Sequence, residues 1–240
     1  MPASARFWRG TSTTERHNSR LTIARLRAYI GLMKRFLTLL SVFAALTVAG
    51  TPAPAEYRIT TQDKADITRI ETYLNGMESL RSKFVQLSSG GRFAEGNIYI
   101  ERPRKLRLEY TRPSNIQVYA NGPWLAHVDT ELEAVWHVPL KATPAHFLIR
   151  DQIALSGDVM VRRVIRDAKT LSVEIVQTDE PEAGKFVMTF ADTPLSLRKW
   201  TVTDAQGVST SVTLVAPEYN VAIPQGVFVF DETKFERENQ

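Results

Sequence analysis

The stretch Glu101-Arg102-Pro103-Arg104-Lys105-Leu106-Arg107-Leu108-Glu109-Tyr110-Thr111-Arg112-Pro113 constrains this chain most. Leu106, Leu108 and Tyr110 alternate with Lys105, Arg107 and Glu109. A period of two means a strand with one apolar and one wet face. Prolines bracket it, because proline offers no N–H to a central ladder. Such a strand implies a curved antiparallel sheet, and its apolar side must be covered by something.

Not all 240 residues belong to that sheet. Met33-Lys34-Arg35 is a short basic start, Phe36 to Val48 is almost unbroken apolar sequence, and Ala53-Pro54-Ala55 has the small-x-small pattern. Together they read as a signal peptide over 33–55, cut after Ala55. The apolar run is shorter than the roughly 20 residues that span a bilayer. Residues 1–32 read as an upstream extension or a long basic n-region. Residues 1–55 hold eight of the 30 basic residues and one of the 26 acidic ones, so 56–240 carries a net charge of −3 rather than the whole chain's +4. A nucleic-acid binder should be basic after processing, which argues against that class. The chain has no cysteine, which removes disulfides and any lipid anchor on an N-terminal cysteine.

Along 56–240, Asp63 to Asn75 has helical spacing, with Ile67, Ile70, Leu74 and Met77 on one face. Asp63 or Asp66 can cap its start and Gly76 can end it. Strand patterns then follow one another: Ser82–Leu87, Ile98–Ile100, Leu106–Tyr110, Ile116–Ala120 before the turn pair Asn121-Gly122, Leu125–Val128 and Glu133–Val138. Thr143-Pro144 signals a helix start ahead of Ala145, Phe147, Leu148 and Ile149, a short apolar helix over 143–150. Further strands are expected at Val159–Ile165, Leu171–Val176, Phe186–Phe190, Leu195–Val202, Thr210–Val215 and Val227–Phe230. The fold class is therefore α+β, mainly β: one curled antiparallel sheet of about 11 strands, a half-open barrel with helices on its concave side.

The inward candidates are Phe84, Leu106, Leu108, Tyr110, Ile116, Val118, Trp136, Phe186, Met188 and Phe190, with Phe147 and Leu148 on the short helix. They would line a hydrophobic cavity if the sheet is hollow and form ordinary core if it is filled. Periodicity does not separate the two.

The order Phe84-x-Gln86, Gly96, Arg102-Pro103, Tyr110, Pro113 and Asn121-Gly122 resembles the LolA-like carriers of outer-membrane lipoproteins. Thr143-Pro144 and its apolar helix sit where that family has a lid helix. The resemblance covers about residues 63–232. It implies a soluble periplasmic carrier, chaperone-like in protein transport, with a helical lid over a hydrophobic cavity. Its implied partners are acylated lipoproteins, an inner-membrane lipoprotein-releasing ABC transporter and an outer-membrane lipoprotein receptor. It implies no enzyme activity, no cofactor and a monomer. Arg102 matches the family arginine that latches the lid; without the resemblance it reads as a solvated edge residue. Two departures bear on cavity shape and cargo. Leu106 and Leu108 stand where the family often has aromatics, and Trp124-Leu125 inverts the usual Leu-Trp pair.

A carrier or sensor of another lipid or hydrophobic ligand on the same fold is the alternative. An enzyme would have to use His127, Asp129 and His137, whose spacing matches no strong metal motif; surface histidines are the simpler reading. Arg162, Arg163 and Arg166 read as a solvated strand face or a basic patch for a partner. Phe228 and Phe230 are placed to close the barrel near the C-terminus.

Overall fold

The computed structural model describes residues 57–233 and 235. The expected signal peptide and the extension before it lie outside them. The first element is helix α1 (Thr61–Gly76). Its cap is Thr60, not Asp63 or Asp66: the Thr60 hydroxyl accepts from the Asp63 N–H at 3.1 Å, and the Asp63 carboxylate accepts from the Thr60 N–H at 2.7 Å. This reciprocal box satisfies two backbone donors that have no partner within the helix.

Eleven strands follow: β1 (Ser79–Ser88), β2 (Phe93–Glu101), β3 (Lys105–Tyr110), β4 (Ile116–Asn121), β5 (Trp124–Asp129), β6 (Ala134–Pro139), β7 (Val159–Arg166), β8 (Thr170–Gln177), β9 (Gly184–Asp192), β10 (Leu195–Asp204) and β11 (Ser209–Tyr219). They form one antiparallel sheet in the order β6-β5-β4-β3-β2-β1-β11-β10-β9-β8-β7. Only the β1–β11 pairing is non-sequential, so two meanders are joined at the centre by the first and last strands. The sheet is curled and unclosed, with β6 and β7 as its edges. The connection between those edges carries a short helix, α2 (Ala145–Ile149). This helix is shorter than expected, because the Thr143 hydroxyl donates back to the Leu140 carbonyl at 2.8 Å and does not cap it.

Register explains the motif series in the first meander. Gly96 lies between Phe84 and Tyr110 across three strands. A Cβ at Gly96 would stand 2.1 Å from the Glu109 carbonyl oxygen. The empty position lets the Phe84 and Tyr110 rings meet edge to face, with centroids 5.2 Å apart. The Tyr110 hydroxyl donates to Gln86 Oε1 at 2.8 Å. Phe84, Gln86, Gly96 and Tyr110 are therefore one cross-strand cluster.

Paired residues share a face. One concave row runs Ile98, Leu108, Val118, His127, Trp136. Another runs Val212, Trp200, Met188, Val173, Val164. Most of this face joins α1 (Ile70, Leu74, Met77) and the connection (Phe147, Leu148, Ile149, Ile153, Leu155) in a single core.

The C-terminal segment differs from expectation. Val227–Phe230 is not a strand: Gln225–Phe228 is a 3-10 turn. Pro224 and Gly226 favour a turn, and Val227 and Phe228 find no strand to pair with. The segment lies on the convex side, so Phe230 does not close the barrel; its ring packs 5.2 Å from Tyr119 in a small second core with Ala126 and Val128.

Candidate functional site: a covered apolar face

The cover on the concave face has two parts, α1 and the segment 143–155, called the flap below. The flap buries Phe147, Leu148, Ile149, Ile153 and Leu155. The Phe147 ring packs 5.7 Å from Phe186 of β9, and the Arg150 guanidinium lies 4.4 Å from the Phe147 centroid.

Arg102 stands at the end of β2, beneath both parts of the cover. Its Nε donates to the Arg150 carbonyl at 3.1 Å and its Nη2 to the Asp151 carbonyl at 3.0 Å, both on the flap. Its Nη1 donates to the Leu74 and Met77 carbonyls at the end of α1. Its Nη2 also reaches Asn75 Oδ1 at 3.3 Å. One guanidinium thus ties the β2–β3 turn to both halves of the cover. Burial lowers its pKa, with Asp151 opposing the shift and Arg150 adding to it; an arginine in this range stays charged. Beside it, the Arg104 N–H donates to the Ile149 carbonyl at 2.6 Å, and its side chain pairs with Asp151 at 3.2 Å.

Between the flap and β8–β10 lies a cleft of about 480 Å³, within the range of ligand sites. Phe147, Val159, Ile175, Phe186 and Val202 supply its apolar wall, with Lys141, His146, Arg150, Asp158 and Lys185 on the lining. The imidazole of His146 has a lowered pKa, first from burial and then from the nearby Arg150. A larger, more polar groove of about 780 Å³ lies against Arg102, lined by Glu78, Glu101 and Asp151 among others.

The expected cavity residues fall into four groups. Phe84, Leu106, Val118, Leu148, Met188 and Phe190 are buried in the core shared with the cover. Leu108, Tyr110 and Ile116 are half-buried against it. Phe147 and Phe186 line the cleft. Trp136 lies on the concave face by register but is 47 % exposed, because the cover does not reach β6. The apolar open volume is thus a cleft at the rim of the flap, while the protein's own side chains occupy the central part of the face.

Sequence reasoning missed Asn75 and Glu71 on α1. Asn75 Nδ2 donates to the Ile153 carbonyl at 2.8 Å, and its Oδ1 accepts from the Ile153 N–H at 2.9 Å. Glu71 Oε1 accepts from the Leu155 N–H at 2.7 Å. Their i, i+4 spacing was visible, but polar residues on the flank of an amphipathic helix normally face water. The three arginines of β7 do not form a free basic patch: Arg162 pairs with Glu182, Arg163 with Glu174, and Arg166 with Asp63 and Asp66. Asp63 is buried. Burial alone would raise its pKa, but the Thr60 N–H and the Arg166 guanidinium outweigh this and hold it far below the ordinary carboxylate range. His127 packs its ring 5.6 Å from Trp136. Among the described residues, no three His, Asp or Glu side chains gather as a metal site.

A single curled sheet, open between its edge strands and covered on its concave face by one helix and one flap, is a half-open barrel with a lid. Residues 75–231 match the family model described as outer membrane lipoprotein carrier protein LolA, and the chain belongs to that family. An outer-membrane lipoprotein carrier protein of Methylococcus capsulatus is 24% identical over 183 residues, 69% of this chain and 87% of that protein. An uncharacterized protein of Rickettsia prowazekii is 21% identical over 112 residues, 47% of this chain; the chain spans 53% of that relative. The crystal structure of a LolA superfamily protein from Nitrosomonas europaea superposes with a TM-score of 0.42 at 9% identity, covering 68% of this chain and 97% of that one. Among the described residues no helix is long and apolar enough to cross a membrane.

Proposed function

We propose that this protein is a periplasmic carrier that binds the acyl chains of lipoproteins beneath its flap. On this reading it takes them from an inner-membrane lipoprotein-releasing ABC transporter and delivers them to an outer-membrane receptor. The observation that carries the reading is an apolar concave face whose flap is held largely by hydrogen bonds to its backbone from Arg102, Arg104, Asn75 and Glu71. Family membership supports it.

The magnitudes suit reversible exchange. The five apolar side chains of the flap are worth about 2 kcal/mol each when buried, roughly 10 kcal/mol together. A myristoyl-length chain of about 12 methylenes gains about 10 kcal/mol on leaving water. A cargo tail can therefore replace the flap with little net change. The latch then decides the balance, because charge-assisted bonds from Arg102 are worth about 1.5–3 kcal/mol. Arg102→Leu should fold, take up cargo and release it poorly. Normal delivery by that variant would remove the latch role.

The direct test is mass spectrometry of material extracted from protein purified from the periplasm. Acylated peptides are the expected result. Free phospholipid would favour a carrier of another lipid on the same fold.

A further inference from the structure

The two parts of the cover are attached by different means. α1 is fixed to the sheet along its whole length through side chains. Arg166 of β7 pairs with Asp63 at 2.8 Å and Asp66 at 2.6 Å. Arg69 pairs with Asp192 at the end of β9. The Tyr73 hydroxyl accepts from the Leu197 N–H at 3.1 Å, and its ring packs edge to face on Phe190 and Tyr219. Asn220 Nδ2 donates to the Gly76 carbonyl at 3.0 Å.

The flap is attached through its backbone. On the turn side, Arg102 and Arg104 bind its carbonyls at 149, 150 and 151. On the helix side, Asn75 both donates to and accepts from Ile153, as the peptide of a neighbouring strand would. Glu71, one helical turn earlier, takes the Leu155 N–H. Just beyond the flap, Gly157 has φ +87° with open space around its Cα, the kind of position that absorbs a hinge rotation.

We infer that Asn75 and Glu71 are the positioning residues of a second latch on the helix side of the flap, joined to Arg102 through Asn75 Oδ1, and that the flap swings as a leaf while α1 stays on the sheet. The consequence for cargo rests on the carrier reading; the motion itself does not. Asn75 is exposed and Glu71 half-buried, so both rehydrate when the leaf lifts and no buried polar group is orphaned. Lifting α1 instead would break the ion pairs of Asp63, Asp66 and Arg69 together with the Tyr73 contacts. The helix is therefore the hinge post and the flap the moving part.

Amide hydrogen exchange on the whole protein tests this. Asn75→Ala and Glu71→Ala should each speed exchange at Ile153 and Leu155 by about tenfold, in line with one or two lost hydrogen bonds. Amides inside α1 should keep their wild-type rates. Glu71→Gln keeps an acceptor and should behave like wild type. A general loss of stability would not produce that rescue. If α1 amides accelerate in step with those of the flap, or if Ile153 and Leu155 are unmoved in both alanine variants, the inference is overturned. Uptake of a fluorescent fatty acid, measured in parallel, should be faster in Asn75→Ala than in wild type. Absence of uptake in every variant would count against the carrier reading and leave the exchange result to decide the hinge.

Discussion

The two edges of the sheet are finished in opposite ways. β7 carries Arg162, Arg163 and Arg166, each paired with a carboxylate. A register shift interrupts it between Val161 and Arg163, and the Tyr57 hydroxyl donates to its Val164 carbonyl at 3.1 Å. β6 reads Ala134-Val135-Trp136-His137-Val138-Pro139, with no Lys, Arg, Asp or Glu, and leaves Trp136 and Val138 exposed. Charges and bulges are the usual guards of a free edge, and here only one edge has them. The guarded edge is also where α1 is bolted down. The apolar edge is where the concave face runs out from under its cover. The cover thus spans most of the concave face and leaves bare a strip at the β6 end.

Truncating a buried aromatic in the covered half should give the largest effect. Phe190 is fully buried beneath Tyr73 of α1. Phe190→Ala should cost about 3–5 kcal/mol, read as a lower urea midpoint by circular dichroism. A loss below about 1 kcal/mol would mean that the covered half is not packed as described.

Gly96→Ala comes next. The added methyl meets the backbone oxygen of Glu109, which cannot rotate away as a side chain would. A loss of about 3 kcal/mol is expected, together with separation of the Phe84 and Tyr110 rings. Retained stability would show that β2 and β3 can part there.

The anchor of α1 should respond less. Arg166 is partly exposed, so its pairs with Asp63 and Asp66 are screened, and Arg166→Met should cost about 1–2 kcal/mol. The pH dependence has a definite sign. The folded-state pKa of Asp63 is depressed, so its contribution is complete above the unfolded value of about 4 and is lost as pH falls below it. The difference between wild type and Arg166→Met should therefore be constant from about pH 7 to about pH 5 and shrink in stronger acid. A difference that vanished by about pH 6 would point to another group.

How much of this was legible in the sequence depends on whether a feature is local. Alternation around Leu106, Leu108 and Tyr110 assigned faces correctly, because a pleat admits no other arrangement. Arg102 could be placed at the end of a strand, yet the five partners of its guanidinium lie 25 to 49 residues away in sequence. Asn75 and Glu71 were illegible for the same reason: their partners are 78 and 84 residues distant. Val227–Phe230 looked like a strand because alternation does not reveal whether an edge is free to receive it. The β7 arginines looked solvated because the carboxylates that hold two of them, Asp63, Asp66 and Glu174, belong to other elements.

Trp136 gives the finest test of the comparison, since alternation alone placed it with Phe190 as a lining residue. It sits in the same concave row as Leu108 and Val118, but at the uncovered end, where His127 packs against its ring. At 47 % exposure its truncation removes about half the buried area that a fully covered tryptophan would lose. Trp136→Ala should cost about 1 kcal/mol, well below Phe190→Ala. If the bare strip is part of the path that a hydrocarbon tail follows, the same variant should weaken fluorescent fatty-acid binding severalfold at a nearly unchanged urea midpoint. Unchanged binding would confine the ligand path to the cleft beside Phe147 and Phe186. A large loss of stability would show that the uncovered end is packed after all, and the contrast between the two halves would fail.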